Sequence, residues 1–153
     1  MHIDIKSYHG EKFLSDLVGQ FEKGFDLTNS IVSKDYISLN LPIGKIKCSY
    51  LNSGLTIGLA ELNENTPSIL GSYSGDEEEI PYKIGFCFEG EFELNYPNQL
   101  VQETIRTGRN FIITPRKGSS IITKGHEKLG FFFIFISPTF LNTDFNIDRN
   151  KFK

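Results

Sequence analysis

Three histidines, two cysteines and one acidic run are the groups in this 153-residue chain whose types could do chemistry. Their spacing argues against each usual reaction in turn. His2 and His9 sit near the N-terminus and His126 in a Lys-Gly-His-Glu-Lys turn, so no pair of imidazoles is expected on adjacent strands. Cys48 and Cys87 fall in strand-like segments without C-x-x-C spacing, as expected of thiols that pack rather than react. Glu77, Glu78 and Glu79 could supply paired carboxylates, but adjacent acids in a loop are solvated rather than poised for proton transfer. There is no Gly-x-Ser-x-Gly elbow, no phosphate-cradling Gly-rich loop and no His-Glu-x-x-His. No catalytic residue is assigned, no metal site or cofactor is expected, and the chain reads as a non-enzyme.

What remains is binding. Tyr82 to Tyr96 alternates in two half-strands joined at Glu89-Gly90, and reads as a hairpin. Side chains alternate across a strand, which puts Ile84, Phe86 and Phe88 on one face. Continued across the turn, the same alternation adds Phe92, Leu94 and Tyr96. These six are the candidate ligand-binding residues, lining an interior that is apolar as small-molecule sites mostly are.

The elements that must position them follow from periodicity. Residues 10–23 read as a helix, with Phe13, Leu14, Leu17, Val18 and Phe21 on one face and Gly24 as its stop; it is expected to pack outside the sheet. From Ile37 the period is two. Strands are expected over 37–41, 43–52 and 55–62, the last two forming a hairpin, with a shorter strand over 68–73. Gly58 in mid-strand points to a bulge or a close approach. Further strands follow at 110–115 and 119–123, then the run Leu129 to Ile136, apolar on both faces. One of its faces should line the interior. The other is left for the helix, for the segment after Ser137, or for a second copy of the chain. Ser137-Pro138 reads as the N-cap and first residue of a short helix. The layout is a lead-in over 1–35, a barrel over 36–141 and a linker or frayed tail over 142–153.

Composition excludes several partners. A formal charge of −3 with scattered Lys and Arg gives no electrostatic footprint for DNA, and no apolar run is long enough to span a membrane. The N-terminus lacks a signal-peptide pattern, and a cytoplasmic setting is expected. Most of the 14 Phe and 6 Tyr, with no Trp, must fill the core of this single domain, and a surplus could line an apolar cavity or a subunit contact.

The order of these segments resembles a cupin: an all-β double-stranded β-helix, or jelly-roll barrel, here with an N-terminal helix and a short C-terminal one. Metal-binding cupins carry Gly-x5-His-x-His-x(3,4)-Glu-x6-Gly and later Gly-x5-Pro-x-Gly-x2-His. Aligned on Gly90, the Glu position is Lys83 and the His positions fall at or just after Glu77 to Glu79. The later His position is Ser120 or Ile121. The chain is more similar to the metal-free sensor domains of AraC-type, siderophore-regulator-like transcription regulators. That likeness rests on Gly54-Leu55-Thr56-Ile57, Phe86 to Phe92, Gly108 to Pro115, and Ile136-Ser137-Pro138-Thr139-Phe140-Leu141. The resemblance implies a ligand-sensing, homodimerising domain that binds a small-molecule effector. It would reach DNA only through a C-terminal helix-turn-helix module not contained in these residues. A stand-alone, metal-independent isomerase- or epimerase-like cupin is the alternative.

Overall fold

The computed structural model describes the chain apart from residues 9, 52–53, 76–80, 98–101, 115 and 145–153. Twelve strands and two helices run through the described residues in the order β1 (His2–Ile5), α1 (Gly10–Phe21), β2 (Ile31–Val32), β3 (Tyr36–Leu41), β4 (Gly44–Leu51), β5 (Leu55–Leu62), β6 (Ile69–Tyr73), β7 (Tyr82–Glu89), β8 (Glu91–Asn95), β9 (Glu103–Arg106), β10 (Arg109–Ile113), β11 (Ser120–Thr123), β12 (Leu129–Ile136) and α2 (Pro138–Asp144). They form a five-stranded sheet, β1-β6-β11-β8-β9, and a seven-stranded sheet, β10-β7-β12-β5-β4-β3-β2. The buried apolar residues of both sheets form one core. This is a cupin-like β-barrel, as the segment order implied.

The expected strands at 37–41, 43–52, 55–62, 68–73 and 129–136 are present, and β4 and β5 pair as a hairpin from Gly44↔Leu62 to Leu51↔Leu55. The lead-in adds an edge strand to each sheet: β1 pairs parallel to β6, and β2 pairs with β3. Ser137 caps α2, its Oγ accepting from the Phe140 N–H at 3.1 Å. That helix extends to Asp144, so the first residues assigned to a tail are helical. The rest of the tail and the Glu77–Glu79 run lie outside the described residues.

Two expectations are corrected. The first is that Tyr82–Tyr96 forms a hairpin. β7 pairs with β10 and β12, whereas β8 pairs with β9 and β11 in the other sheet. Gly90, at φ 75°, turns the chain from one sheet to the other. Just before it the β7–β12 register slips, because Gly130 faces Glu89 while Phe131 faces Cys87, which leaves Phe88 unpaired. Slip and turn together shift the alternation. The inward set is Lys83, Gly85 and Cys87 on β7, then Phe92 and Leu94 on β8.

The second correction concerns α1, which does not pack outside. Its stripe of Phe13, Leu14, Leu17, Val18 and Phe21 is buried, and the Phe13 ring meets Phe135 and Phe133 edge-on at 5.0 and 6.2 Å. Asp16 ties the helix to the lead-in by accepting the Lys6 and Ser7 amides at 3.2 Å. Phe13, Leu17 and Phe21 line the space between the sheets, while Leu14 and Val18 are buried on the flank beside Ile37. An apolar side chain is worth about 1.5–3 kcal/mol when fully buried, which favours this seating.

Across the large sheet one inward-facing line reads Phe111, Gly85, Phe133, Gly58, Cys48 and Ile37 on neighbouring strands. A side chain at Gly85 would strike the Phe111 ring and one at Gly58 the Phe133 ring. The mid-strand glycine at 58 therefore marks a close approach, and the partner is an aromatic ring.

Gly90 and Gly108 both hold positive φ, 75° and 83°, but only Gly90 has backbone, the Lys128 carbonyl, where a Cβ would go. Gly90→Ala and Gly108→Ala should each lose about 1–2 kcal/mol to left-handed strain. Gly90→Ala should lose a further 1–3 kcal/mol or so from overpacking. Urea midpoints of the two variants measure the difference, and equal midpoints would contradict this account of the turn.

Candidate functional site

The phase shift at Gly90 places a lysine where an apolar residue would be expected. Lys83 is 5 % exposed, on the inward face of β7 opposite Phe135 of β12. Its Nζ lies 5.2 Å from the ring centroids of Phe133 and Phe135 and 5.9 Å from that of Phe131. A cation over aromatic faces at these distances is attracted by the ring quadrupoles. No hydrogen bond or ion pair to Lys83 is formed by the described residues. Burial pushes its pKa down from 10.5 to about 8, an effect that the neighbouring Cys48 slightly opposes. Burial likewise raises the Cys48 thiol to about 12 and raises Cys87. Both cysteines are free and buried, so they are the packing thiols that their spacing implied.

Lys83 borders a cavity of about 130 Å3 between the sheets. Phe131, Phe133 and Phe135 of β12 form one wall, Phe13, Leu17 and Phe21 of α1 another, with Tyr8, Ile46, Ala60, Ile69 and Ile121 completing much of the surface. Among the described residues that line it, Lys83 alone is charged. Of the hydroxyls, Thr123 Oγ1 accepts the Ile69 amide at 2.9 Å, and Ser72 Oγ lies 2.7 Å from His2 Nε2. A larger groove of about 890 Å3 runs along the outer flank of α1, past Lys6, Glu11, Lys12 and Lys34. Its rim carries exposed side chains of both charges, with Leu14, Val18 and Ile37 buried at its floor, so the smaller, more apolar cavity is the candidate site.

The six residues read from alternation divide into three groups. Ile84, Phe86 and Phe88 point away from the interior, with Phe86 39 % and Phe88 37 % exposed; none of the three lines the cavity. Phe92 is buried in the core, its ring 5.4 Å from Phe111 and 5.5 Å from Phe131. Leu94 and Tyr96 line a small crevice of about 20 Å3 that shares Tyr8, Gly71 and Ile121 with the cavity. The final strand lines the cavity with one face, as expected, through Phe131, Phe133 and Phe135; the lining residues that alternation missed are Lys83 and the aromatics of α1. The signal available for Lys83 was a lone charge inside a strand that is otherwise apolar on both faces.

A transition metal does not suit this interior. Its polar groups are an ammonium and hydroxyls, the Glu position of the metal pattern is Lys83, and Ile121 lines the wall near the later His position. Among the described residues no three His, Cys, Asp or Glu come together.

No family model and no curated protein sequence matches the chain. Solved structures match in shape at low identity, and several of them are cupin domains. One is the cupin domain of an XRE-family transcriptional regulator from Enterobacter cloacae, with 12% identity over 61% of this chain and 95% of that one, at a TM-score of 0.48. Another is a conserved cupin barrel protein from Salinispora arenicola, with 12% identity over 79% and 87% of the two chains and a TM-score of 0.44. A third is the EutQ protein of Clostridium difficile, with 13% identity over 74% and 79% and a TM-score of 0.42.

The buried cation has a measurable cost. Because its folded pKa of about 8 lies below 10.5, the unfolded chain holds a proton between those values that the folded chain has lost. Stability from this group therefore rises with pH across that window, and below it the ammonium costs about 3 kcal/mol. Cys48 acts oppositely above pH 9, where the unfolded thiol ionises first. The gain should thus be clearest between pH 8 and 9. Lys83→Met should stabilise the fold at pH 7 by about 1–3 kcal/mol and abolish the rise. Guanidinium unfolding of both proteins at several pH values tests this; a destabilised variant would mean that the ammonium is compensated.

Proposed function

We propose that this chain is a ligand-sensing and dimerising domain of an AraC-type transcription regulator, working in the cytoplasm and binding a small-molecule effector in the barrel without a metal. Contact with DNA would belong to a helix-turn-helix module outside these residues. The observation that carries the reading is the aromatic-walled cavity with one buried cation. An apolar cavity of about 150 Å3 holds a benzene ring, so this one suits a ligand of similar size. Binding rather than turnover is favoured because, among the described residues, no carboxylate or imidazole lines the cavity to complete an acid–base pair with Lys83.

The same strand supports the dimer. Phe131, Phe133 and Phe135 face the cavity, while Phe132 and Ile134 face outward, paired with Phe86 and Ile84 on β7 and with Leu59 and Ile57 on β5. Ile112, 72 % exposed, extends this outer apolar patch on β10, where it pairs with Ile84. Contiguous exposed apolar surface of this kind marks association, and two-fold dimers are its commonest form. A ligand on the inner face of β12 and a partner on the outer face would then act on one strand.

Two measurements test the reading. Toluene at millimolar concentration should shift backbone amide resonances of β7, β12 and α1; unchanged spectra would remove the cavity as a binding site. Sedimentation at micromolar concentration should give a species of twice 17.4 kDa that Phe86→Asp converts to monomer. A wild-type monomer, with or without ligand, would overturn the dimer.

A further inference from the structure

Resting on the reading that the interior cavity binds a small molecule, we propose that its ligand is a small apolar monocarboxylic acid, held as its anion by Lys83. Four observations lead there. The cavity brings a single charge, positive, to its lining, and the described residues give Lys83 neither a carboxylate nor a hydrogen-bond acceptor. Among the described residues three ring faces, at 5.2 to 5.9 Å, and the neutral Cys48 thiol accompany the ammonium. A buried ammonium in such a place lacks the hydrogen-bonded counter-charge that normally accompanies one, and a ligand carboxylate supplies it.

The remaining surface sets the rest of the molecule. Phenylalanine and aliphatic walls exclude a ligand rich in hydroxyls. The hydroxyls of the cavity are few, those of Tyr8, Ser72 and Thr123, and Ser72 and Thr123 already serve His2, Asp4 and Ile69, so a sugar would leave most of its polar groups unpaired. A dianion or phosphate ester would meet one cation for two charges. A cationic ligand would be repelled by Lys83. The volume of about 130 Å3 admits one ring or a short branched chain beside the carboxylate, and not a long acyl chain. Benzoate and phenylacetate have this shape and serve as probes, with benzamide and toluene as neutral counterparts.

Calorimetric titration of the intact chain should show benzoate or phenylacetate bound on the order of tenfold or more tighter than benzamide, the scale of one charge-assisted hydrogen bond. Lys83→Met should lose that preference while binding toluene at least as well as the wild type. Should the variant fail to fold, the Lys83 Nζ resonance of 15N-lysine-labelled wild type gives the same answer: it should move on addition of benzoate and stay put with benzamide. Toluene binding without preference for the acids would overturn the ligand class and leave the cavity reading intact. Acids that bind Lys83→Met as tightly as the wild type would also overturn it. If neither toluene nor any acid binds, the cavity reading itself falls, and this inference falls with it.

Discussion

An ammonium group inside an apolar barrel must be accommodated by something other than water. Here the three phenylalanines of β12 do so, presenting ring faces to Lys83 from alternate positions of one strand. Much of the interior follows from that arrangement. The rings must lie toward Lys83, so the residues beneath them must be small, and Gly58 and Ala60 on β5 stand directly across from Phe133 and Phe131. The same rings receive Phe13 of α1, which seats the helix against the gap between the sheets as one wall of the cavity. Electrostatics at one nitrogen, aromatic packing on β12 and the placement of the N-terminal helix are thus one constraint seen at three distances.

The cavity and the outer apolar patch are two faces of the same sheet. β12 has no polar set, so a residue added to either face changes what the other can hold only through the strand itself. Inward aromatics contribute dispersion and quadrupole contacts to the interior. Outward Phe132 and Ile134 are only partly buried and keep some of their surface in water. Such surface is explained more readily by association than by the core.

Much of the architecture was legible in the sequence, and the misreadings have physical causes. Long alternating segments such as 55–62 and 129–136 carry their own evidence, because many residues agree on one period. The Ile31-Val32 and Glu103–Arg106 strands are too short for that; they are strands because neighbours offer them partners. The N-cap at Ser137 was visible because capping is local. The site was misassigned for one reason. Alternation was carried through Phe88 and Gly90, where the bulge and the turn between sheets shift its phase, so Ile84, Phe86 and Phe88 were placed inside and Lys83 was left out of the lining. A bulge depends on the strand opposite, Gly130 and Phe131 here, and no pattern within β7 reveals it. The helix stripe was read correctly as buried, but its direction depended on an opening between sheets that periodicity does not describe.

The interlocking of Phe133 with Gly58, and of Phe111 with Gly85, carries a consequence for how this barrel can diverge. At each pair the bulk of one residue occupies the volume that a side chain on the other would need. Neither position can drift independently: a methyl group gained at 58 or 85 requires a smaller ring or none at 133 or 111. Among descendants of this sequence these two pairs should change together or not at all. Any lineage that exchanges the ring at 133 for a side chain at 58 would also lose one of the faces above Lys83, and so would redraw the cavity while leaving every strand in place.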